Sequence, residues 1–253
     1  MAAMDEFRKE REAVKNGTFR QKLSYFWDYY KWHAIIPTVI IICIASFIYH
    51  KFTDPETILN GILLNTYSIE SNSSDLTNGF YEEQEIDRKL YDINLNTTLS
   101  YYTEKDAAAS NYQTLQALMA WTAAGQVDFI SGDLEAMSEL AYKGYFNDLR
   151  EILTEEQIAQ YEPYFLYMDQ AVIEKRNEAY DNQKDASLIS IPECNKPETM
   201  EKPIPVLLNL PPGESLVKAC GYDTNEIIFG IPSNAEHLEM ALHFIEYATD
   251  LPQ

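Results

Sequence analysis

The chain has 253 residues, and its 40 acidic and 19 basic side chains give a formal net charge of −21 at pH 7. Residues 1–33 carry 7 basic and 5 acidic side chains, so residues 34–253, with 12 basic and 35 acidic ones, have a net charge of −23. Such an acidic surface repels phosphates and anionic polymers, which excludes nucleic acid as a partner and leaves cationic partners open. About 200 residues beyond the N-terminal apolar segment are enough for one domain with its own core.

The apolar segment is the run AIIPTVIIICIASFIY at 34–49, which contains no charged residue. As a helix it would rise about 24 Å, and its flanks supply the aromatic and histidine residues that settle at headgroup depth. We therefore predict a transmembrane helix over 34–50, with Pro37 in its first turn, where a missing N–H costs little. A buried core helix is the disfavoured alternative.

The distribution of basic residues predicts the orientation of this helix. Seven lysines and arginines precede it, whereas Lys51 is the only one just after it. The excess belongs on the cytoplasmic side, so we predict a single-pass protein of the cell membrane with a cytoplasmic N-terminus and an extracellular C-terminal domain. A cleaved signal peptide is disfavoured because no A-x-A pattern follows, and a lipoprotein is disfavoured because Ile42 precedes Cys43.

The chain divides into four predicted parts. Residues 1–33 form a cytoplasmic juxtamembrane helix, whose aromatic cluster indicates an interfacial helix that fixes depth in the bilayer. Docking of a cytoplasmic partner by the same cluster stays open. The transmembrane helix follows, then a tether at 51–57, and residues 58–253 form the extracellular domain.

The extracellular domain alternates strand and helix patterns. In chain order the patterns predict a strand at 58–65, a helix at 71–86, a strand at 93–102, a helix at 106–124, a strand at 127–130 and a helix at 134–143. They then predict a helix at 154–168 introduced by a capping box at 154–157, strands at 204–210 and 226–231, and a closing helix introduced by a capping box at 233–236. One face of the helix at 106–124 carries Tyr112, Leu115, Met119 and Thr122. Short connections between such elements predict an α/β fold with a parallel-type sheet flanked by helices. Residues 170–225 hold six prolines and are expected to be the least regular part.

One run carries a resemblance to a known family. GQVDFISGDLEAMSELAYKGYFNDLREILTEEQIAQYEP at 125–163 resembles the extracellular solute-binding proteins of bacterial ABC importers, and GIPSNAEHLEMALHFIEYATD at 230–250 is similar to the closing helix of that family. FWDYYKWH at 26–33 resembles single-pass membrane proteins of Gram-positive bacteria. The resemblance implies a lobe of the periplasmic-binding-protein type. The family has two lobes around a cleft, and 170–225 is too short for a full second lobe, which we expect to be reduced or missing.

The implied fold places a ligand site beyond the carboxyl ends of the strands, near helix N-termini. The candidate ligand-binding residues are Asn65, Thr66 and Tyr67 after the first strand, Tyr102 and Thr103 after the second, and Ser131, Gly132 and Asp133 after the third. Tyr67 and Tyr102 would stack on a sugar ring, and Asp133 would accept hydrogen bonds from hydroxyl groups. In the alternative interpretation, Asp133 only caps its helix and the tyrosines cover the sheet edge.

Signals of catalysis are absent from the sequence. It contains no G-x-S-x-G, no H-E-x-x-H, no phosphate-binding loop and no Rossmann glycine fingerprint. His237 and His243 are six residues apart, so they lack the spacing with which a helix chelates a metal. We therefore predict a protein that is not an enzyme and has no cofactor and no metal.

The two cysteines beyond the membrane segment are Cys194 and Cys220. An even pair outside the cell permits a disulfide, which would stabilise the domain by closing a loop. Two free or buried thiols are the alternative.

Two functions fit these observations, and a third is weaker. In the first, a membrane-tethered solute-binding domain binds a small solute such as a sugar, or presents it to a transporter or sensor. In the second, the binding-protein fold has lost its cleft and acts as a protein-interaction module at the cell surface. In the third, the aromatic inner helix and the span assemble with other membrane proteins. The lipid bilayer is a partner in all three.

Overall fold

The computed structural model describes residues 18–66, 70–102, 108–221 and 226–251. The chain divides after Asp54 into two compact units. The described part of the first unit consists of helix α1, Phe19–Thr53.

Helix α1 runs without a break for 35 residues. Its segment Lys31–Tyr49 is long and apolar enough to span a membrane. Pro37 lies inside the helix, so its predicted place in a first turn is wrong, because the helix already begins at Phe19. Thr38 satisfies its polar group within the segment by donating its Oγ1 hydroxyl to the Ala34 carbonyl at 2.8 Å. The predicted tether at 51–57 is also too long, since the next strand starts within it.

The second unit is built on a six-stranded sheet. Its strands are β1 Glu56–Leu63, β2 Tyr91–Asn96, β3 Phe129–Gly132, β4 Phe165–Asp169, β5 Pro203–Leu210 and β6 Ile227–Gly230, in the order β2-β1-β3-β6-β5-β4. β1 pairs in parallel with β2 and β3, whereas β6 is antiparallel to β3 and β5, and β4 is antiparallel to β5. The α/β class is confirmed, but the sheet is mixed, and the expectation of a parallel sheet holds only for β2, β1 and β3.

Helices cover both faces of the sheet. They are α2 Glu70–Glu83, α3 Ala108–Ala123, α4 Leu134–Tyr142, α5 Leu149–Ile152, α6 Glu155–Tyr161, α7 Gln170–Asp181, α8 Glu214–Cys220 and α9 Leu238–Ala248. Short 3₁₀ turns lie at Glu162–Tyr164, Ala186–Leu188 and Pro197–Thr199. Residues 170–221, most of the segment that we expect to be the least regular part, thus contribute α7, β5 and α8 to this sheet and to the helices that cover it.

The sheet separates two hydrophobic cores. Leu59 and Leu63 of β1 point into the first core, which α2, α8 and α9 close, while Ile62 and Leu64 point into the second, which α3, α4 and α7 close. A strand that is apolar on both faces is typical of the parallel part of an α/β sheet. In the first core the rings of Phe129 and Phe244 stack with centroids 5.1 Å apart.

Of the two helix starts with a predicted capping box, one forms its box and the other does not. The capping box of Thr154 and Gln157 forms as predicted. The predicted box at 233–236 is wrong: α9 begins at Leu238 without a side-chain cap. The reason is a distant competitor, since the N–H groups of Glu236 and His237 donate to the Asp128 carboxylate at 3.2 and 2.8 Å.

The structure has a strand between residues 162 and 170 that the sequence patterns do not predict. The helix predicted to run to about 168 ends at Tyr161, and Pro163 lies in the 3₁₀ turn that follows. The segment Phe165–Asp169 then forms the edge strand β4. Its aromatic residues favour a strand, and a proline just before it is incompatible with a continuing helix.

Candidate functional site

The residues predicted to bind a ligand do converge at one end of the sheet. Asn65 follows β1 and Asp133 follows β3, and the Asn65 Nδ2 amide donates to Asp133 Oδ2 at 2.5 Å. The parallel pairing of β1 and β3 brings these positions together because it aligns their carboxyl ends. Tyr67 and Thr103 lie outside the described residues.

Asn65 is fully engaged by the chain itself. Its carboxamide also donates to the Tyr101 carbonyl at 2.8 Å and accepts from the Tyr101 N–H at 2.7 Å. Asn65 adopts a left-handed backbone conformation, with φ of 56°, which asparagine tolerates better than most residues. The neighbouring Thr66 donates its hydroxyl to the Thr97 carbonyl at 2.8 Å. Asn65 and Thr66 therefore fasten the loop after β2 to the end of β1.

The remaining predicted residues leave little to offer a ligand. Asp133 accepts the Ala136 N–H at 2.9 Å through Oδ1 and so caps α4, while its Oδ2 accepts from Asn65. Ser131 and Gly132 are buried, and within the described part of the chain the Ser131 hydroxyl has no hydrogen-bond partner. Tyr102 is 42% exposed. This arrangement favours the capping interpretation for Asp133 over ligand binding.

A second set of polar groups lies on one face of β1 and of its neighbour β2. Asn60 of β1 pairs in register with Asn94 of β2, and Ile62 pairs with Asn96. These side chains alternate with residues of the first core, so they point to the opposite face. Strands in the parallel part of an α/β sheet are normally apolar on both faces, so Asn60 on the inner strand β1 is a departure, and Asn94 and Asn96 on the edge strand β2 continue the polar row.

The asparagines line a pocket of about 610 Å³. Its walls are Thr57, Gly61 and Ile62 of β1, Trp121 of α3, Ala124, Gly125, Gln126 and Val127 after that helix, and Glu236 and His237 before α9. This volume is within the range of small-molecule sites. The wall at Gly125 depends on glycine, because its φ is +68° and because a Cβ there would lie 2.7 Å from Glu236 Oε1.

An ionisable pair, the buried Asp128 and the half-buried His237, supports one wall of the pocket. Asp128 is fully buried and accepts the Asn60 N–H at 2.7 Å, together with the backbone N–H groups that precede α9. His237 Nδ1 lies 3.2 Å from Asp128 Oδ2, and the His237 side chain is 30% exposed. Asp128 therefore ties β1, β3 and the start of α9 together and fixes His237 at the pocket.

The chemistry of this pocket is that of binding through hydrogen bonds. Carboxamides donate and accept at once, and the indole of Trp121 adds an apolar face with an N–H donor. Among the lining residues only Thr57 carries a hydroxyl group, and none carries a thiol. Such a surface matches a solute that has several hydroxyl or N–H groups around a compact body.

The sequence contains a signal for the pocket, which lies within the strands rather than at their ends. Asn60 interrupts the apolar run ILNGILLN, and Asn94 and Asn96 alternate with apolar residues in INLN. Equal parity of polar residues on two neighbouring strands predicts a polar patch on one face once the pairing of the strands is known. The contributions of Trp121 and His237 depend on contacts between residues far apart in the chain.

The predicted disulfide is not formed. Cys194 and Cys220 are free thiols, because Cys220 is buried in the first core and Cys194 packs against the second, with the sheet between them. Burial raises the pKa of the Cys220 thiol to about 12 and also raises that of Cys194. Both thiols are therefore protonated at neutral pH.

A second, more apolar pocket of about 580 Å³ lies on the outer side of α3. It is lined by Leu115, Met119, Thr122 and Ala123 of α3, by Lys143, Gly144 and Tyr145, by Asn177 and Tyr180 of α7, and by Ser233 and Asn234. Met119 is 62% exposed. The face of α3 that the sequence pattern predicts, with Leu115 and Met119, is thus the pocket face, whereas Thr114 and Leu118 are the residues of α3 that are buried within the described part of the helix.

Within the described ranges, no group of three or more histidine, cysteine, aspartate or glutamate residues is arranged to hold a metal ion. The chain matches no model of a protein family, and no curated protein or solved structure is significantly similar to it. The resemblance to solute-binding proteins therefore stays a prediction from the motifs at 125–163 and 230–250.

Proposed function

We propose that this protein is a single-pass, membrane-anchored receptor without enzymatic activity, whose exterior domain binds a small polar solute such as a sugar and presents it to a transporter or sensor. The observation that carries the proposal is the row of Asn60, Asn94 and Asn96 beside Trp121 in a pocket of about 610 Å³. The N-terminal helix supplies the anchor, and the excess of basic residues before it supports a cytoplasmic N-terminus.

The pocket suits a hydroxyl-rich ring for two reasons. First, within the described residues the carboxamides of Asn60 and Asn94 are engaged by no other side chain, in contrast to that of Asn65. Their hydrogen-bonding capacity is therefore available to a ligand. Second, Trp121 offers an aromatic surface on which the apolar face of a sugar ring packs.

Thermal unfolding of the full chain in detergent micelles tests the proposal, using a panel of sugars, polyols, amino acids and peptides. A solute that binds only the folded state at a concentration 100 times its Kd stabilises it by about 2.7 kcal/mol, which raises Tm clearly. We expect sugars to give this shift, and Trp121→Ala to weaken binding by about tenfold or more, which is about 1.4 kcal/mol. Affinities are compared at a temperature where each variant is folded.

Met119→Ala is the matched control, because Met119 is on the same helix but lines the other pocket. It should bind the sugar as the parent protein does. A panel without any shift, or unchanged binding by Trp121→Ala, would refute the proposal.

A protein-interaction module is the second candidate, and a separate observation favours it. Large side chains are exposed at the second pocket and on the same helix: Met119 and Tyr180, which line the pocket, are 62% and 49% exposed, and Tyr112 of α3 is 62% exposed. Neighbouring exposed apolar side chains are typical of surfaces that bind other proteins, whereas single exposed apolar residues are common on any protein surface. A panel without any ligand would leave this function as the better supported one.

A further inference from the structure

We propose that the solute carries a protonated amine next to its hydroxyl groups, as an amino sugar does. This inference rests on the proposed function, because it concerns the same pocket. It follows from two carboxylates at the pocket, those of Glu236 and Asp128, neither of which forms an ion pair with a lysine or arginine within the described residues.

The ionisable side chains that line the pocket are Glu236 and His237, and no lysine or arginine is among the lining residues. Glu236 folds over the backbone of Gly125, as its Oε1 lies 2.7 Å from where a Cβ of that residue would be. Within the described residues no lysine or arginine forms an ion pair with Glu236. Its carboxylate is therefore a free acceptor at the pocket wall.

A second carboxylate lies behind this wall. Asp128 is fully buried, and its partners are backbone N–H groups and the His237 ring rather than a lysine or arginine. A carboxylate only accepts hydrogen bonds, so His237 Nδ1 carries the proton that faces it. In a neutral imidazole the other nitrogen, Nε2, is then an acceptor as well.

The pocket thus combines negative charge with hydrogen-bond acceptors and one aromatic ring. An ammonium group gains from all three, because Trp121 is the type of ring that binds cations best and carboxamide oxygens accept N–H groups. Residues 34–253 carry a net charge of −23, which raises the local concentration of cations and repels anions. Phosphorylated and acidic sugars are excluded for the same reason.

Two matched sugar pairs test the inference on the full chain in detergent micelles at neutral pH and low salt. D-glucosamine is compared with D-glucose, and D-galactosamine with D-galactose, by isothermal titration calorimetry. Each pair differs by an amine in place of one hydroxyl group. We expect at least one amino sugar to bind about tenfold more tightly than its parent sugar, and N-acetylation of its amine to remove the difference.

Glu236→Gln should abolish the preference, so that an amino sugar and its parent sugar bind this variant with affinities equal to within a factor of about two, because the amide keeps the shape of the side chain but removes its charge. Glu239→Gln is the matched control: it removes the same charge from an exposed residue of α9 that does not line the pocket, and it should keep the preference.

The possible outcomes are distinguishable. Equal binding within both pairs, or a preference that survives in Glu236→Gln, overturns the amine inference and leaves solute binding intact. If neither the amino sugars nor the neutral sugars bind, the proposed function fails, and the amine inference fails with it.

Discussion

Two polar clusters of this domain share strand β1, one with its neighbour β3 and the other with its neighbour β2, and they differ in which groups complete their hydrogen bonds. At the carboxyl end, Asn65 and Asp133 bond to each other and to nearby backbone groups. On the strand face, Asn60 and Asn94 turn their carboxamides toward a pocket. Both clusters contain asparagine. Its role is structural where other groups of the chain complete its hydrogen bonds, and it is available to a ligand where they do not.

This difference has an energetic consequence. In the carboxyl-end cluster, removal of one partner leaves other buried groups without a bond, and each such orphan costs about 1–3 kcal/mol. In the pocket cluster, the side chains are accessible to water, and water can hydrogen-bond to the neighbouring groups when a side chain is removed. A substitution there should therefore cost little stability. Substitutions in the carboxyl-end cluster should therefore lower the free energy of unfolding more than substitutions in the pocket cluster do. Substitutions in the pocket cluster should instead have the larger effect on the affinity for the solute.

The largest effect is expected for Asn65→Ala. It removes the partner of Asp133 and both bonds to Tyr101, and alanine is unfavourable at a φ of +56°. We expect a loss of about 3 kcal/mol in the free energy of unfolding, measured by urea titration with circular dichroism. Asn65→Gly is the control that keeps the backbone conformation, and it should recover about 1 kcal/mol of the loss. A loss below about 1 kcal/mol for the alanine variant would contradict a structural role.

An intermediate effect is expected for Asp169→Asn. Asp169 is another carboxylate completed by the chain: it accepts N–H groups from Ala171, Glu201 and Lys202 at 3.0, 2.9 and 3.0 Å. Burial acts to raise its pKa, but these donors together outweigh burial and lower it. At neutral pH the variant should lose about 2 kcal/mol of stability, because hydrogen bonds to a charged group are the strong ones.

The pH dependence of Asp169 follows from the direction of its pKa. A group whose pKa is lower in the folded state stabilises above its ordinary pKa, and loses that contribution as pH falls through the folded value. The parent protein and Asp169→Asn should therefore converge in stability under strongly acidic conditions. Parallel curves of stability against pH would show that the charge of Asp169 contributes nothing.

The smallest effect on stability is expected for Asn94→Ala. Asn94 is exposed at the edge of the sheet and lines the pocket, so its removal should change the free energy of unfolding by less than about 0.5 kcal/mol. The same variant should weaken binding of the solute in calorimetry. A loss of stability as large as that of Asn65→Ala would erase the distinction between the two clusters.

The sequence predicts what short-range physics controls. Asp133 caps its helix, in agreement with the alternative interpretation of that residue, and Thr154 and Gln157 form the predicted capping box, because each cap uses N–H groups within three residues. The α/β class followed from the alternation of apolar strands with amphipathic helices. Asn65, Ser131 and Asp133 were placed at one end of the sheet by the rule for parallel strands.

What the sequence did not predict depends on distant partners. The box at 233–236 lost its N–H groups to Asp128, more than one hundred residues away. The direction of β6 and the separation of Cys194 from Cys220 by the sheet are likewise settled only when the strands assemble. The pocket has the same origin, since Asn60, Asn94, Trp121 and His237 come from four separate segments.

The unbroken helix α1 has a mechanical consequence. Its 35 residues extend about 52 Å, whereas the hydrocarbon core of a bilayer is about 30 Å thick. Because the helix has no break between Phe19 and Thr53, the twelve residues from Phe19 to Tyr30 are continuous with the membrane-spanning segment and extend beyond it. In the proposed topology they form a lever arm, and a change of tilt at the outer end displaces the inner end without any rearrangement in between.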